Sequence, residues 1–149
     1  MKNKKTAVYV RTTSNENSVN LQLEAAKGHL MGVDETEIVL FSDMSAKSSS
    51  IREGLNELID SISNDRIDTL IVFNRDRLTR DAEEYKKFIE LFYAKNINVI
   101  FSGQGALPFN YDRRIETEMA SLVDKEREIM SRRIKIAQKD KKILREVNL

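Results

Sequence analysis

The sequence predicts an α/β fold: an open, mainly parallel sheet of about four strands with helices on both faces, followed by a long C-terminal helix. Three observations carry this. Short β-branched and aromatic runs with polar ends recur along the chain. Between them lie segments with apolar residues at helical spacing. The last segment, from Arg113 to Arg145, contains neither Gly nor Pro.

Residues 6–11, 37–41, 69–73 and 98–101 read as strands. Residues 19–31 place Leu21, Leu23 and Ala26 at helical spacing, and residues 52–64 do the same with Leu55, Leu58, Ile59 and Ile62. Residues 81–95 repeat the pattern with Tyr85, Phe88, Ile89 and Phe92. Strands alternating with helices of this length build βαβ units, hence a parallel sheet. In the last segment apolar residues recur at Ile115, Met119, Leu122, Val123, Ile129, Met130, Ile134 and Ala137. One helix of about 33 residues would span about 50 Å, more than a small domain is wide. Part of it should project and seek a partner for its apolar stripe, most simply a second copy of the chain. Residues 1–112 are therefore expected to form the α/β domain, and residues 113–149 a dimerisation helix.

Composition narrows the function. The chain has no Cys and one His, His29, inside an amphipathic pattern. Disulfides, a zinc centre and a Ser-His-Asp triad are therefore not expected. The apolar run after the basic start is too short for a signal peptide, and no run approaches the length of a membrane helix. A cytoplasmic location without membrane contact follows as the expectation. Net charge is +1, but residues 125–149 hold nine Lys/Arg against four acids, which leaves the rest of the chain at −4. A basic end on an acidic body points to a polyanion, and Arg127, Arg132, Arg133, Lys135 and Lys139 are the candidate contacts.

In open parallel sheets, sites form beyond the carboxyl ends of the strands. The first strand is followed by Arg11-Thr12-Thr13-Ser14, the second by a Ser-rich loop ending at Arg52, and the third by Asn74-Arg75-Asp76-Arg77-Leu78-Thr79-Arg80. Guanidiniums at Arg11, Arg52, Arg77 and Arg80 suit phosphate oxygens and stay charged at any working pH. A hydroxyl at Thr13 or Ser14 supplies a nucleophile for phosphorus. Asp76 could orient an arginine or move a proton. No Gly-rich nucleotide cradle is present.

These segments resemble those of the serine recombinases, the family of resolvases, invertases and large serine integrases. Tyr9-Val10-Arg11-Thr12-Thr13-Ser14 resembles the family's Y-x-R-V-S-T, and Arg52-Glu53-Gly54-Leu55 its REGL segment. Asn74 to Arg80 resembles K-x-D-R-L-x-R, and Glu126-Arg127-Glu128 with Arg133 resembles E-R-x-x-I-x-E-R on the family's long helix. The likeness covers nearly the whole chain, in order. It implies a hydroxyl that attacks a DNA phosphate, a 5′-phospho-residue intermediate and a released 3′-hydroxyl. It implies arginines on the phosphate, double-stranded DNA as substrate, a homodimer that pairs into a tetramer for strand exchange, and no cofactor. The chain departs from the pattern in three places. Thr13 stands at the family's serine position with Ser14 after it, Glu16 and Asn17 replace a glutamine, and Arg132 replaces a glutamate. No separate sequence-reading DNA-binding domain is expected within residues 1–149.

Two other readings use the same residues. One is a recombinase-like module that contacts DNA and dimerises without cutting. The other is a small-ligand-binding α/β domain, disfavoured because the loops carry arginines rather than an acidic cluster.

Overall fold

The computed structural model describes residues 4–12, 16–44 and 52–147. Four strands, β1 (Lys5–Thr12), β2 (Ile38–Met44), β3 (Ile67–Val72) and β4 (Asn98–Phe101), form one sheet in the order β2-β1-β3-β4, all parallel. The predicted fold class is therefore found. Ala7, Val8, Tyr9 and Val10 are buried, as is Leu70 to Val72, because β1 and β3 are covered on both faces.

Side-chain alternation splits the core in two. Ala7, Tyr9, Leu70, Val72 and Val99 face helices α2 (Glu53–Ser63) and α4 (Ala82–Ala94), where Leu55, Leu58, Ile62, Tyr85, Phe88, Ile89 and Phe92 meet them. Val8, Val10 and Ile71 face α1 (Glu16–Lys27) through Ala26, Val19 and Leu23. Leu21, expected on the apolar face of that helix, is 59% exposed. α4 begins at Asp81, whose carboxylate accepts from the Glu83 and Glu84 amides, a side-chain cap at the predicted start.

The chain runs from β1 outward to β2, then back across β1 to β3. The order reverses between β1 and β3, so the crevice lies at their carboxyl ends. A four-residue helix, α3 (Arg75–Leu78), starts there directly after β3.

The final segment differs from the expectation of one helix over residues 113–145. α5 (Arg113–Met119) gives way to a 3-10 turn, Ala120–Leu122, and α6 (Glu126–Val147) starts afresh. Burial explains the break. Ala120 and Val123 sit in the main core, and Glu116 and Glu126 both reach the Arg75 guanidinium. In an unbroken helix those two carboxylates would stand about 15 Å apart along the axis. Part of the apolar stripe assigned to a second copy is thus spent within the chain, where Met130 is also buried. Beyond Ile134 every described side chain of α6 is exposed, including Ile136, Ile143 and Leu144. No helix among the described residues is long and apolar enough to cross a membrane.

Candidate active site

The crevice is assembled from the ends of β1, β2 and β3. Gln22 on α1, 2% exposed, grips the end of β1: its Nε2 donates to the Arg11 carbonyl at 3.0 Å, and its Oε1 accepts from the Arg11 amide at 3.3 Å. The same Nε2 lies 3.1 Å from the Ser18 carbonyl. β1 is still paired with β2 here, but its pairing with β3 ends at Tyr9, and the amide side chain takes up the Arg11 main-chain groups beyond that point. Thr13 and Ser14 lie outside the described residues.

At the end of β2, Asp43 caps α2. Its Oδ1 accepts from the Gly54 amide at 2.8 Å and its Oδ2 from the Leu55 amide at 2.9 Å. The approach is close enough to require glycine. A Cβ on Gly54 would lie 2.7 Å from the Ser42 carbonyl carbon and nearer still to its oxygen. The Tyr9 phenol donates to Asp43 Oδ2 at 2.6 Å, and Arg52 Nη2 donates to the Tyr9 oxygen at 3.0 Å. Burial first, and the bond to Asp43 second, push the Tyr9 phenol well above its ordinary value, so it stays protonated.

The guanidiniums are tied to main-chain carbonyls. Arg52 Nη2 donates to the Arg77 carbonyl at 2.9 Å, and Arg77 Nη1 to the Arg11 carbonyl at 3.2 Å. Asp76 is buried, not a surface carboxylate. Arg77 Nε stands 3.9 Å, Arg80 Nη2 3.7 Å and Arg127 Nη2 3.6 Å from its oxygens, ion-pair rather than hydrogen-bond distances. Glu84 lies 3.8 Å from Arg52. Burial first, then the charge of Arg52, holds Arg11 below the ordinary arginine range. Burial does the same to Arg77, with Arg127, Arg80 and Arg11 adding repulsion.

Five guanidiniums thus converge on three carboxylates, Asp43, Asp76 and Glu84. Among the described residues, four buried side-chain atoms have no hydrogen-bond partner: Arg52 Nε, Arg77 Nε, Asp76 Oδ1 and Asn74 Oδ1. The first three belong to this crevice, and Asn74 packs against Met130. Two guanidinium Nε–H groups are thus buried without a hydrogen bond amid surplus positive charge.

Arg11, Arg52, Asp76, Arg77 and Arg80 lie together at this crevice. Arg127, assigned from sequence to the basic tail, reaches the same crevice. Arg132, Arg133, Lys135 and Lys139 lie along the exposed part of α6, Arg132 paired with Glu128 at 2.9 Å. Tyr9, Asp43 and Gln22 were not singled out as site residues. The available signal was a polar side chain inside an apolar pattern, Gln22 between Leu21 and Leu23 and Asp43 at the end of a strand.

Fold and crevice define an α/β domain with an arginine-rich cluster at the switch point of a parallel sheet. The family described as the resolvase N-terminal domain matches residues 6–143, and the chain belongs to that family. Solved structures agree on the fold. The N-terminal catalytic domain of TP901-1 integrase aligns with TM-score 0.62 and 22% identity, over 85% of this chain and 98% of that one. A resolvase family site-specific recombinase from Streptococcus pneumoniae aligns with TM-score 0.62 and 20% identity, over 97% and 99%. The first open reading frame of transposon ISC1904 from Sulfolobus solfataricus P2 aligns with TM-score 0.56 and 20% identity, over 97% and 99%. A search of curated proteins finds no match.

Proposed function

We propose that this domain cuts and rejoins DNA through a covalent phosphodiester to a hydroxyl of the loop after β1. The observation that carries the reading is the crevice itself: Arg52 and Arg77 are largely buried, each with an unpartnered Nε–H, at the strand end that leads into Thr13 and Ser14. In the step proposed, the Thr13 oxygen attacks the DNA phosphorus and loses its proton. The bond from phosphorus to the 3′ oxygen breaks, and that oxygen leaves as a 3′-hydroxyl. Rejoining is the reverse. Arg11, Arg52, Arg77 and Arg80 stabilise the charge on the equatorial oxygens, and Asp76 orients Arg77 and Arg80. Ser14 is the second candidate nucleophile. The exposed cations of α6, Arg132, Arg133, Lys135 and Lys139, contact the DNA backbone. Residues 1–112 carry the chemistry, while residues 113–149 carry DNA contact and pairing of subunits into a dimer and, in synapsis, a tetramer. The setting is the cytoplasm.

The test is a quenched reaction with supercoiled DNA carrying the recombination site. A protein–DNA adduct is expected, mapped by mass spectrometry to residue 13 and lost in Thr13→Ala. Loss in Ser14→Ala alone would move the nucleophile one residue on. No adduct from any version, with DNA binding retained, would overturn the enzyme and leave a DNA-contact and pairing module.

A further inference from the structure

Arg75 begins α3, next to Asp76 and two residues before Arg77. Its side chain is 1% exposed, and all five of its N–H groups have acceptors. Nε and Nη2 donate to the two oxygens of Glu116 at 2.7 and 3.0 Å. Nη1 donates to Glu126 Oε1 and to the Leu107 carbonyl, both at 2.8 Å. Nη2 also donates to the Pro108 carbonyl at 3.0 Å. The guanidinium lies over the Phe101 ring, 4.4 Å from its centre. One buried cation thus joins α3, α5, α6 and the chain after β4.

Stability does not explain such a device, because apolar residues of the same volume commonly hold a core as well as a buried ion network does. What the network does fix is position. Glu126 Oε2 accepts the Arg75 amide at 2.8 Å, a cap that the Asn74 side chain does not provide. Glu126 is also the buried charge of α6, whose other anchors to the body are Met130, against Gly103 and the Asn74 amide, and Ile134, against Gly105. The next residue is Arg127, which stands 3.6 Å from Asp76 with its side chain 58% exposed. At that distance and exposure Asp76 does not hold Arg127. The backbone of α6 puts it there.

We propose that Arg75 is a positioning residue: by gripping Glu126 it fixes the first turn of α6 against α3 and so delivers Arg127 to the Asp76 carboxylate. This rests on the reading of the crevice as a phosphate site. The grip makes the site complete only while α6 is docked.

Two readouts test it on the full chain. The first is geometric. The chain has no cysteine, so Lys87→Cys and Ile136→Cys give a unique pair of spin labels on exposed positions of α4 and α6. The distance distribution is expected to be narrow with native Glu126, broad in Glu126→Ala and largely restored in Glu126→Gln. An unchanged distribution in Glu126→Ala overturns the proposal. The second is a cycle on the rate of adduct formation at saturating DNA. Glu126→Ala and Arg127→Gln are each expected to slow it by roughly a hundredfold, as a misplacement of about 1 Å can. The double variant should be no slower than the slower single, because both remove the same interaction. Additive losses would mean that Glu126 acts through the fold and not through Arg127, and would overturn it. If the native chain forms no adduct, the cleavage reading falls and the label distances alone decide the positioning.

Discussion

Replacing Arg75 by Met tests the energetics of the central network most directly. Met approximates the length of the arginine stem, so little space opens. What is lost is the only cation within hydrogen-bond reach of Glu116 and Glu126 among the described residues, with both carboxylates remaining buried. Removing one member of a buried ion network costs about 3–5 kcal/mol. For a chain of this size each kcal/mol moves the midpoint by about 2–4 °C, so the thermal midpoint should fall by roughly 6–20 °C. The loss should depend on pH with a definite sign. Burial already holds the Glu126 carboxyl above its ordinary value, although Arg75 pulls it down. Without that pull it rises further, and the native state then keeps a proton that the unfolded state releases. Stability is therefore greatest below the unfolded carboxyl value and falls as pH rises through the folded one. Urea unfolding followed by circular dichroism should show a larger loss near about pH 8 than near about pH 5. Adding Glu116→Gln and Glu126→Gln to the variant should restore much of it by removing the uncompensated charge. A loss under about 1 kcal/mol at the higher pH, or one that grows on acidification, would refute the network as described.

Gly54→Ala drives a Cβ into the Ser42 backbone and should cost about 1–3 kcal/mol in a thermal melt, with slower adduct formation because α2 carries Arg52 at its start. Gln22→Ala leaves the partly buried Arg11 amide without its side-chain acceptor and the Arg11 carbonyl with Arg77 but without the Gln22 amide. It should cost about 1–3 kcal/mol in urea unfolding and reduce adduct yield more than DNA affinity. Thr13→Ser should speed adduct formation, because serine lacks the methyl that restricts χ1; an equal or lower rate would place the nucleophile elsewhere. Arg133→Gln with Lys135→Gln should flatten the salt dependence of DNA binding by about two units of slope, read from titrations at several salt concentrations.

The sheet and its loops were legible because their causes are local. β1 and β3 are short apolar runs that can only lie between two layers, and the strand-end rule then points to Arg11, Arg52 and Arg77 without knowledge of any contact. The end of the chain was not legible for the opposite reason. Nothing between Arg113 and Arg145 breaks a helix locally, and the apolar spacing runs through the break. The break comes from Arg75, some forty residues earlier in sequence, which needs carboxylates from both sides of it. Glu116 and Glu126 look like ordinary solvated charges, and Arg75 looks like another phosphate ligand among its neighbours. Only burial separates the arginine that holds the fold from those that face the crevice.

That separation bears on how the site keeps its charge. Arg52 and Arg77 are not neutralised by bonded carboxylates, as Arg75 is. They donate to the carbonyls of Arg77 and Arg11, which hold a guanidinium in place without cancelling it. Asp76, the one fully buried carboxylate among them, is shared by three arginines at distances too long for hydrogen bonds, so none is saturated. Burial first, and then repulsion from Arg127, Arg80 and Arg11, lowers Arg77, which is the cost of this arrangement. In the reaction proposed, the phosphate brought into the crevice would offset this surplus positive charge. Arg75 is treated in the opposite way: every N–H of its guanidinium has an acceptor, the carboxylates of Glu116 and Glu126 among them, while Arg52 and Arg77 each keep an Nε–H without a hydrogen bond.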